Sequence, residues 1–182
     1  MLEYISRKSN NIIANTINDY KKRIKIINSI ENINTVDREK QIYTVGESAI
    51  HLLKDVDIKA SSKRNKDLLI IYIRTAIAMI VLKNEFLMNI NVDLLKDYQK
   101  KIKELTEYAP DDSLYFSAFL NFSNNNTTDA REHLLKIRVS TLQGYFTSIN
   151  PTELLDRFCN FTKEIQLEKQ NALNNLSIYG LC

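Results

Sequence analysis

Three glycines and two prolines are all that this chain of 182 residues has for turning sharply. Ordinary domains use about 7% and 5% of these residues. Sheets need many tight turns, and tight turns need residues that reach positive φ or pre-set φ. Such scarcity favours long helices joined by few connections. The apolar pattern agrees. Ile13, Ile17, Tyr20, Ile24 and Ile27 form one helical stripe, and Ile42, Val45, Ala49, Leu52 and Val56 form another. Both step by threes and fours, close to a heptad seam. No alternating strand pattern competes. The expected fold class is all-α: about seven helices in a helical bundle or a short α-solenoid-like array.

The first helix is expected over about Tyr4 to Ile33. The second starts near Asp37, read as an N-cap, with Glu39 in the first turn where the helix dipole favours an acid. Gly46 inside it costs about 1 kcal/mol relative to Ala. Lys59 to Lys66 read as a polar, basic connection. The third helix, Asp67 to about Leu87, is apolar almost all round, which marks a central, buried helix. A fourth covers about Val92 to Tyr108, with Leu95, Tyr98, Ile102 and Leu105 as its stripe. Pro110 opens a short aromatic fifth, and Ser123 to Thr127 is a tight polar turn. The sixth begins at Thr128 or Asp129, with Leu134, Ile137 and Leu142 facing inward and an undefined end between Gly144 and Ile149. The seventh has Asn150 as cap, Pro151 at its first position and Glu153 in its first turn. Its stripe of Leu154, Phe158, Phe161, Ile165, Ala172, Leu176 and Tyr179 leads to Gly180. The chain is expected to be one soluble all-α domain over 1–182. Within it, 1–57 form an N-terminal hairpin, and 67–182 form a helical core with a long C-terminal helix over 151–179.

Net charge is +3, unevenly placed: residues 1–66 carry 13 Lys/Arg against 8 Asp/Glu. Nucleic-acid domains show a stronger excess on one face. Two cysteines, Cys159 and Cys182, make no disulfide framework and suit a reducing compartment. Met1-Leu2-Glu3-Tyr4 lacks the basic region and apolar run of a secretory signal. Leu68 to Leu82 is shorter than the roughly 20 apolar residues a membrane span needs, and it contains Arg74. A cytoplasmic protein with no membrane span is expected. Asn and Ile are abundant and Lys outnumbers Arg, a compositional bias that weakens functional readings of the Asn-rich patches.

Most chemistry lacks its parts. Phosphate cradles need clustered glycines, and the three here are isolated. A structural zinc site needs about four Cys/His ligands, so this chain would have to spend both His and both Cys on one. Cys159 with His51 or His133 would be the parts of a nucleophile and base. Set between Phe158 and Phe161, however, Cys159 reads as a small core residue. His133 reads as a surface residue. Asp111-Asp112 directly follow Pro110 and read as helix-start residues. The Arg-x4-6-His pattern of the all-α HEPN ribonucleases is absent. No catalytic, metal or cofactor-binding residue is assigned, and no enzyme activity is expected.

Two basic clusters remain. Lys21-Lys22-Arg23-Lys25 has Ile24 between its charges and reads as the solvated side of the first helix. Lys59, Lys63, Arg64 and Lys66 would contact phosphates with salt-dependent, sequence-indifferent affinity, which is the alternative function: a nucleic-acid-associated protein.

Across Val92 to Ile137, one helix ends in Leu105-Thr106-Glu107-Tyr108-Ala109-Pro110-Asp111 and an aromatic helix follows. A short turn then leads into a helix containing Ala130 and Leu134. The segment resembles a tetratricopeptide-type unit, in which Pro closes one helical hairpin and small residues let the next pair stack. It lacks the Gly usual in that repeat's first helix, and no clean repeat period recurs on either side. The resemblance implies a helical solenoid with a peptide- or protein-binding surface. By elimination, the expected function is a protein–protein interaction module acting as adaptor, scaffold, chaperone-like or regulatory subunit. Tyr98, Tyr115, Phe119 and Phe122 are its expected contacts. The aromatic helix reads either as core or as an exposed groove for a partner's helix. The heptad-like stripes read either as an internal hairpin or as a homodimer seam.

Overall fold

The apolar run after Asp67 organises the first half of the molecule. In the computed structural model, which describes residues 2–54, 62–138 and 152–178, that run lies in α3 (Ser62–Phe86). Fourteen of its residues are buried, with Leu69, Ala76, Ile77, Val81 and Leu82 at 0% exposure. Burying a side chain of this size contributes roughly 1.5–3 kcal/mol. Only a helix covered on several sides can hold so many. The covers are α1 (Leu2–Ser29), α2 (Thr35–Leu53) and α4 (Val92–Glu104), all packed on α3. A 3-10 turn, Thr106–Tyr108, closes α4. The remaining helices are α5 (Pro110–Ser123), α6 (Thr127–Lys136) and α7 (Glu153–Ile178). All seven are α-helices, with no strand among the described residues. No described helix is long and apolar enough to cross a membrane.

The chain divides into two compact units, residues 1–110 and 111–182. The sequence placed its internal division at 57–67. α3 moves it, because its buried faces belong with α1, α2 and α4.

In the first unit, Ile13, Ile17, Tyr20 and Ile27 of α1 are buried as their spacing predicts, while Ile24 is half-buried. A polar contact joins α2 to α3: Arg74 donates from Nη2 and Nη1 to the two Glu39 carboxylate oxygens at 2.8 and 3.1 Å. Glu39 is therefore not the first-turn acid expected, which is Asp37, but a buried partner of Arg74. The neighbouring Arg38 is 1% exposed and donates from Nη2 to the Ile30 carbonyl at 2.9 Å.

In the second unit, Phe158 of α7 is the hub. Its ring meets those of Tyr115 and Phe119 at 5.2 Å and that of Phe122 at 5.4 Å. Ala130 and Leu134 of α6 are fully buried and Ile137 is 1% exposed. Arg131 reaches across to both Glu168 oxygens at 2.5 and 2.6 Å. Lys169 of α7 donates to the Leu135 and Ile137 carbonyls, placing a cation on the free acceptors where α6 ends. Ala172 and Leu176, expected to face inward, are exposed, because the described part of α7 beyond Lys169 has no buried face.

Helix boundaries depart from expectation where side chains outcompete the read signal. α1 stops at Ser29. Asn34, not Asp37, caps α2: its Oδ1 accepts the Asp37 N–H at 2.9 Å while its Nδ2 donates to Asp37 Oδ2 at 2.6 Å. The first bond is the N-cap contact, and the second is a side chain–side chain bond that holds the Asn34 amide in place for it. α3 starts at Ser62, so Lys63, Arg64 and Lys66 are helical rather than in a loop. Asn126 caps α6 through the Asp129 N–H at 3.3 Å. α7 starts at Glu153, and Thr152 Oγ1 accepts the Leu155 N–H at 3.1 Å. Lys59, Leu142, 144–149, Asn150, Pro151, Tyr179, Gly180 and Cys182 lie outside the described residues.

Candidate functional site

α2 and α4 flank α3 and leave between them a groove of about 660 Å³. Helical spacing builds both walls. Residues 47, 50, 51 and 54 share one face of α2, and residues 94, 97, 98, 101 and 104 share one face of α4. The floor is apolar and aromatic: Ile50, Leu53, Tyr72 and Tyr98, each at most 9% exposed. Tyr72 and Tyr98 meet edge-on, with centroids 5.7 Å apart and planes at 71°. The rim carries both signs, with Glu47, His51 and Lys54 on α2 facing Asp97, Lys100, Lys101 and Glu104 on α4.

The electrostatics keep the phenols neutral. Burial pushes the Tyr98 hydroxyl far above its usual range, and nearby Tyr43, Glu47, Tyr72 and Asp97 add to the effect. Burial and Glu104 raise Tyr72. Tyr43 is pushed up to about 12, first by burial and then by its hydrogen bond to Glu47 Oε1 at 3.0 Å. Lys101 donates to Glu104 at 2.9 Å and holds that carboxyl below its ordinary value. The groove therefore has a floor of nearly covered rings with neutral hydroxyls and a rim of both charges, of which Lys101 and Glu104 pair. Among the described residues no group of three or more His, Cys, Asp or Glu is placed to hold a metal ion. This arrangement suits recognition of an amphipathic segment.

Of the four expected partner contacts, only Tyr98 belongs to this groove. Tyr115, Phe119 and Phe122 are 3%, 0% and 9% exposed, packed against Phe158. The expectation that they meet a partner is corrected: α7 covers the aromatic face of α5, and the rings are core. Of the expected phosphate contacts, Lys63 and Lys66 are exposed. Arg64 is half-buried and donates to Asn10 Oδ1 at 2.9 Å, while nearby Asp67 pairs with Lys21 at 2.8 Å. The Cys159 thiol is half-buried and pushed up chiefly by burial, so little thiolate is present at neutral pH. Nδ1 of His133, a half-buried residue, lies 2.6 Å from the Asp129 carbonyl. Asp111 receives the Arg138 Nε at 2.8 Å.

Sequence reasoning missed Tyr72, His51, Lys54 and Glu47. Tyr72 was legible as the single aromatic ring within an aliphatic run, but its place on the floor between α2 and α4 was not. No family model, curated protein or solved structure matches the chain. Its function therefore rests on the groove's own chemistry.

Proposed function

We propose that this chain is a non-catalytic protein-interaction module, of adaptor, scaffold, chaperone-like or regulatory kind, whose α2–α4 groove receives a short amphipathic helix of another protein. The observation that carries this reading is the pairing of an aromatic floor with a rim of both charges. Residues 94 to 104 span about 15 Å of helix axis, close to three turns, which matches the contact length of a helix laid in a groove. Apolar side chains of the partner would fill the floor over Tyr72 and Tyr98. Its flanking acids would meet Lys54 and Lys100, and its bases Glu47 and Asp97. A tetratricopeptide-like origin of α4 to α6 belongs to the same proposal. So does a cytoplasmic setting, which a chain with only two cysteines and no disulfide framework suits.

Affinity capture tests it, using wild-type protein, a groove variant (Lys54→Glu with Leu94→Glu) and a control outside the groove (Lys136→Glu). A partner held by wild type and control, lost from the groove variant, and bound directly when purified supports the reading. A captured set indifferent to the groove substitutions overturns it. Nucleic acid that co-purifies, leaves with salt and is lost on Lys63→Glu with Lys66→Glu would establish the phosphate-binding alternative instead.

A further inference from the structure

The buried stripe of α1 has an exposed twin. Ile12, Thr16, Asp19, Arg23 and Ile26 of α1, with Ile30 just past its end, step by 4, 3, 4, 3 and 4, a heptad-spaced line beside the one that faces the core and open to solvent except at Thr16, which is buried. Ile12 and Ile30 are 39% exposed and Ile26 is 62% exposed, while Asp19 and Arg23 stand in solvent 3.9 Å apart. Helix α2 runs antiparallel alongside. Asn15, Asp19 and Arg23 share a hollow of about 250 Å³ with Ser48 and Leu52. Arg23 and Ile26 share one of about 370 Å³ with Gln41 and Thr44. Both hollows touch Arg23 and Val45, so they form one trough along the α1–α2 seam. Its α2 wall carries Lys40 and Gln41 at one end, then the smaller residues Thr44, Val45, Ser48 and Ala49, which let another helix approach closely, and it ends at Leu52, 60% exposed.

The order of residues along this face reads almost the same in both directions. Its steps are symmetric, isoleucines stand at its ends, and an acid and a base stand one step either side of its centre. We infer that the outer face of α1 is a two-fold docking surface for a second copy of this chain, with the two α1 helices antiparallel and the axis passing level with residue 21. In that register Asp19 meets Arg23 of the other copy and Arg23 meets its Asp19. Ile12 meets Ile30, and Ile26 packs over Thr16 into the trough. A parallel arrangement would instead set Asp19 on Asp19 and Arg23 on Arg23. A two-fold interface is self-complementary by necessity, and this stripe is self-complementary in charge, spacing and apolar ends. From Ile12 to Ser29, where α1 ends, it covers about 26 Å of helix axis. This surface is separate from the α2–α4 groove and does not depend on the partner proposed there.

Sedimentation equilibrium on the full chain tests the inference through a charge swap. Wild-type protein is expected to dimerise, with an affinity that falls as salt rises. Asp19→Arg alone puts four arginines at the centre, and Arg23→Asp alone puts four aspartates there. Each is expected to weaken association by at least about tenfold, because like charges face one another across the contact. An equimolar mixture of the two variants restores both cross-pairs and is expected to recover the dimer as a heterodimer. Circular dichroism checks that each variant keeps its helices. Should either variant fail to fold, Ile26→Lys gives the same reading by placing a charge in the trough. A wild-type chain that stays monomeric at hundreds of micromolar, or a dimer unmoved by these substitutions and by mixing, overturns the proposal.

Discussion

A Cβ atom on Gly46 of α2 would lie 1.9 Å from Oγ1 of Thr75 on α3. The Thr75 hydroxyl cannot easily turn away, because it donates to the Ile71 carbonyl at 2.7 Å in a fully buried site. Gly46 therefore buys close helix approach at the cost of helix propensity. Gly46→Ala should destabilise the protein by about 2 kcal/mol or more in urea unfolding, the overpacking cost outweighing the roughly 1 kcal/mol gained in propensity. Adding Thr75→Ala removes the nearest atom and leaves the Cβ at 3.0 Å, a contact small shifts relieve. The double variant should recover most of the loss, and additive effects would show that the two residues do not meet as described.

The bidentate contact of Arg74 on Glu39 makes a second coupled pair. Their side chains are 17% and 2% exposed, so solvent screens the pair little. Arg74→Met leaves a buried carboxylate without its cation and should cost about 3–5 kcal/mol. Glu39→Met with Arg74→Met removes both charges and should lie within about 1 kcal/mol of wild type, since desolvation offsets most of a buried pair's attraction. A double-mutant cycle by chemical denaturation measures the coupling.

Phe158 is fully buried and meets three aromatic rings of α5. Phe158→Ala opens a cavity at the centre of the second unit and should cost about 3–5 kcal/mol. The exposed Leu173→Ala on the same helix should change stability by less than about 0.5 kcal/mol. Thermal melts of the two variants compare them directly.

Local signals read well, and signals shared between helices did not. The stripe of α1 and the all-round apolarity of α3 were legible because burial leaves a period in the residues that are buried. Gly46 looked like a mere cost until Thr75 stood opposite it. Glu39 looked like a first-turn acid favoured by the helix dipole, yet its partner Arg74 lies on another helix. The same limit hid the groove. Tyr98 was found as a stripe residue, but Tyr72 and His51 join it only through the packing of α2 and α4 on α3. The aromatic residues of α5 were misassigned because a ring facing α7 and a ring facing a partner have the same sequence signature. Asn91 opens α4 as its place before Val92 and Asp93 suggests, while Asn34 and Asn126 cap helices whose starts were read at later residues.

Leu87 follows α3 with φ of 49°, in the left-handed region that a side chain with Cβ disfavours, and it is 88% exposed. Its side chain contributes little packing, while its backbone carries strain that Gly would not. Leu87→Gly should raise stability by about 1 kcal/mol. Leu87→Ala keeps the Cβ and should give no comparable gain. Unfolding midpoints of the two variants separate the backbone effect from loss of an exposed apolar group.

Tyr20 of α1 is buried, and burial pushes its hydroxyl up to about 12 against the opposing attraction of Arg74. The sign follows from linkage. Between an unfolded value near 10 and the folded value, the unfolded chain has already released this proton and the folded chain has not, so rising pH favours unfolding. The stability held below pH 10 should be lost progressively as pH climbs toward 12, by an amount on the order of 2–3 kcal/mol from this residue. Tyr20→Phe has no proton to release and should shift the alkaline unfolding midpoint upward, with little change at pH 7. At 295 nm, the phenolate absorbance that wild type gains over Tyr20→Phe should arrive with the loss of helix rather than ahead of it. A Tyr20→Phe protein that unfolds at the same alkaline pH as wild type would show that burial of this phenol does not govern the transition.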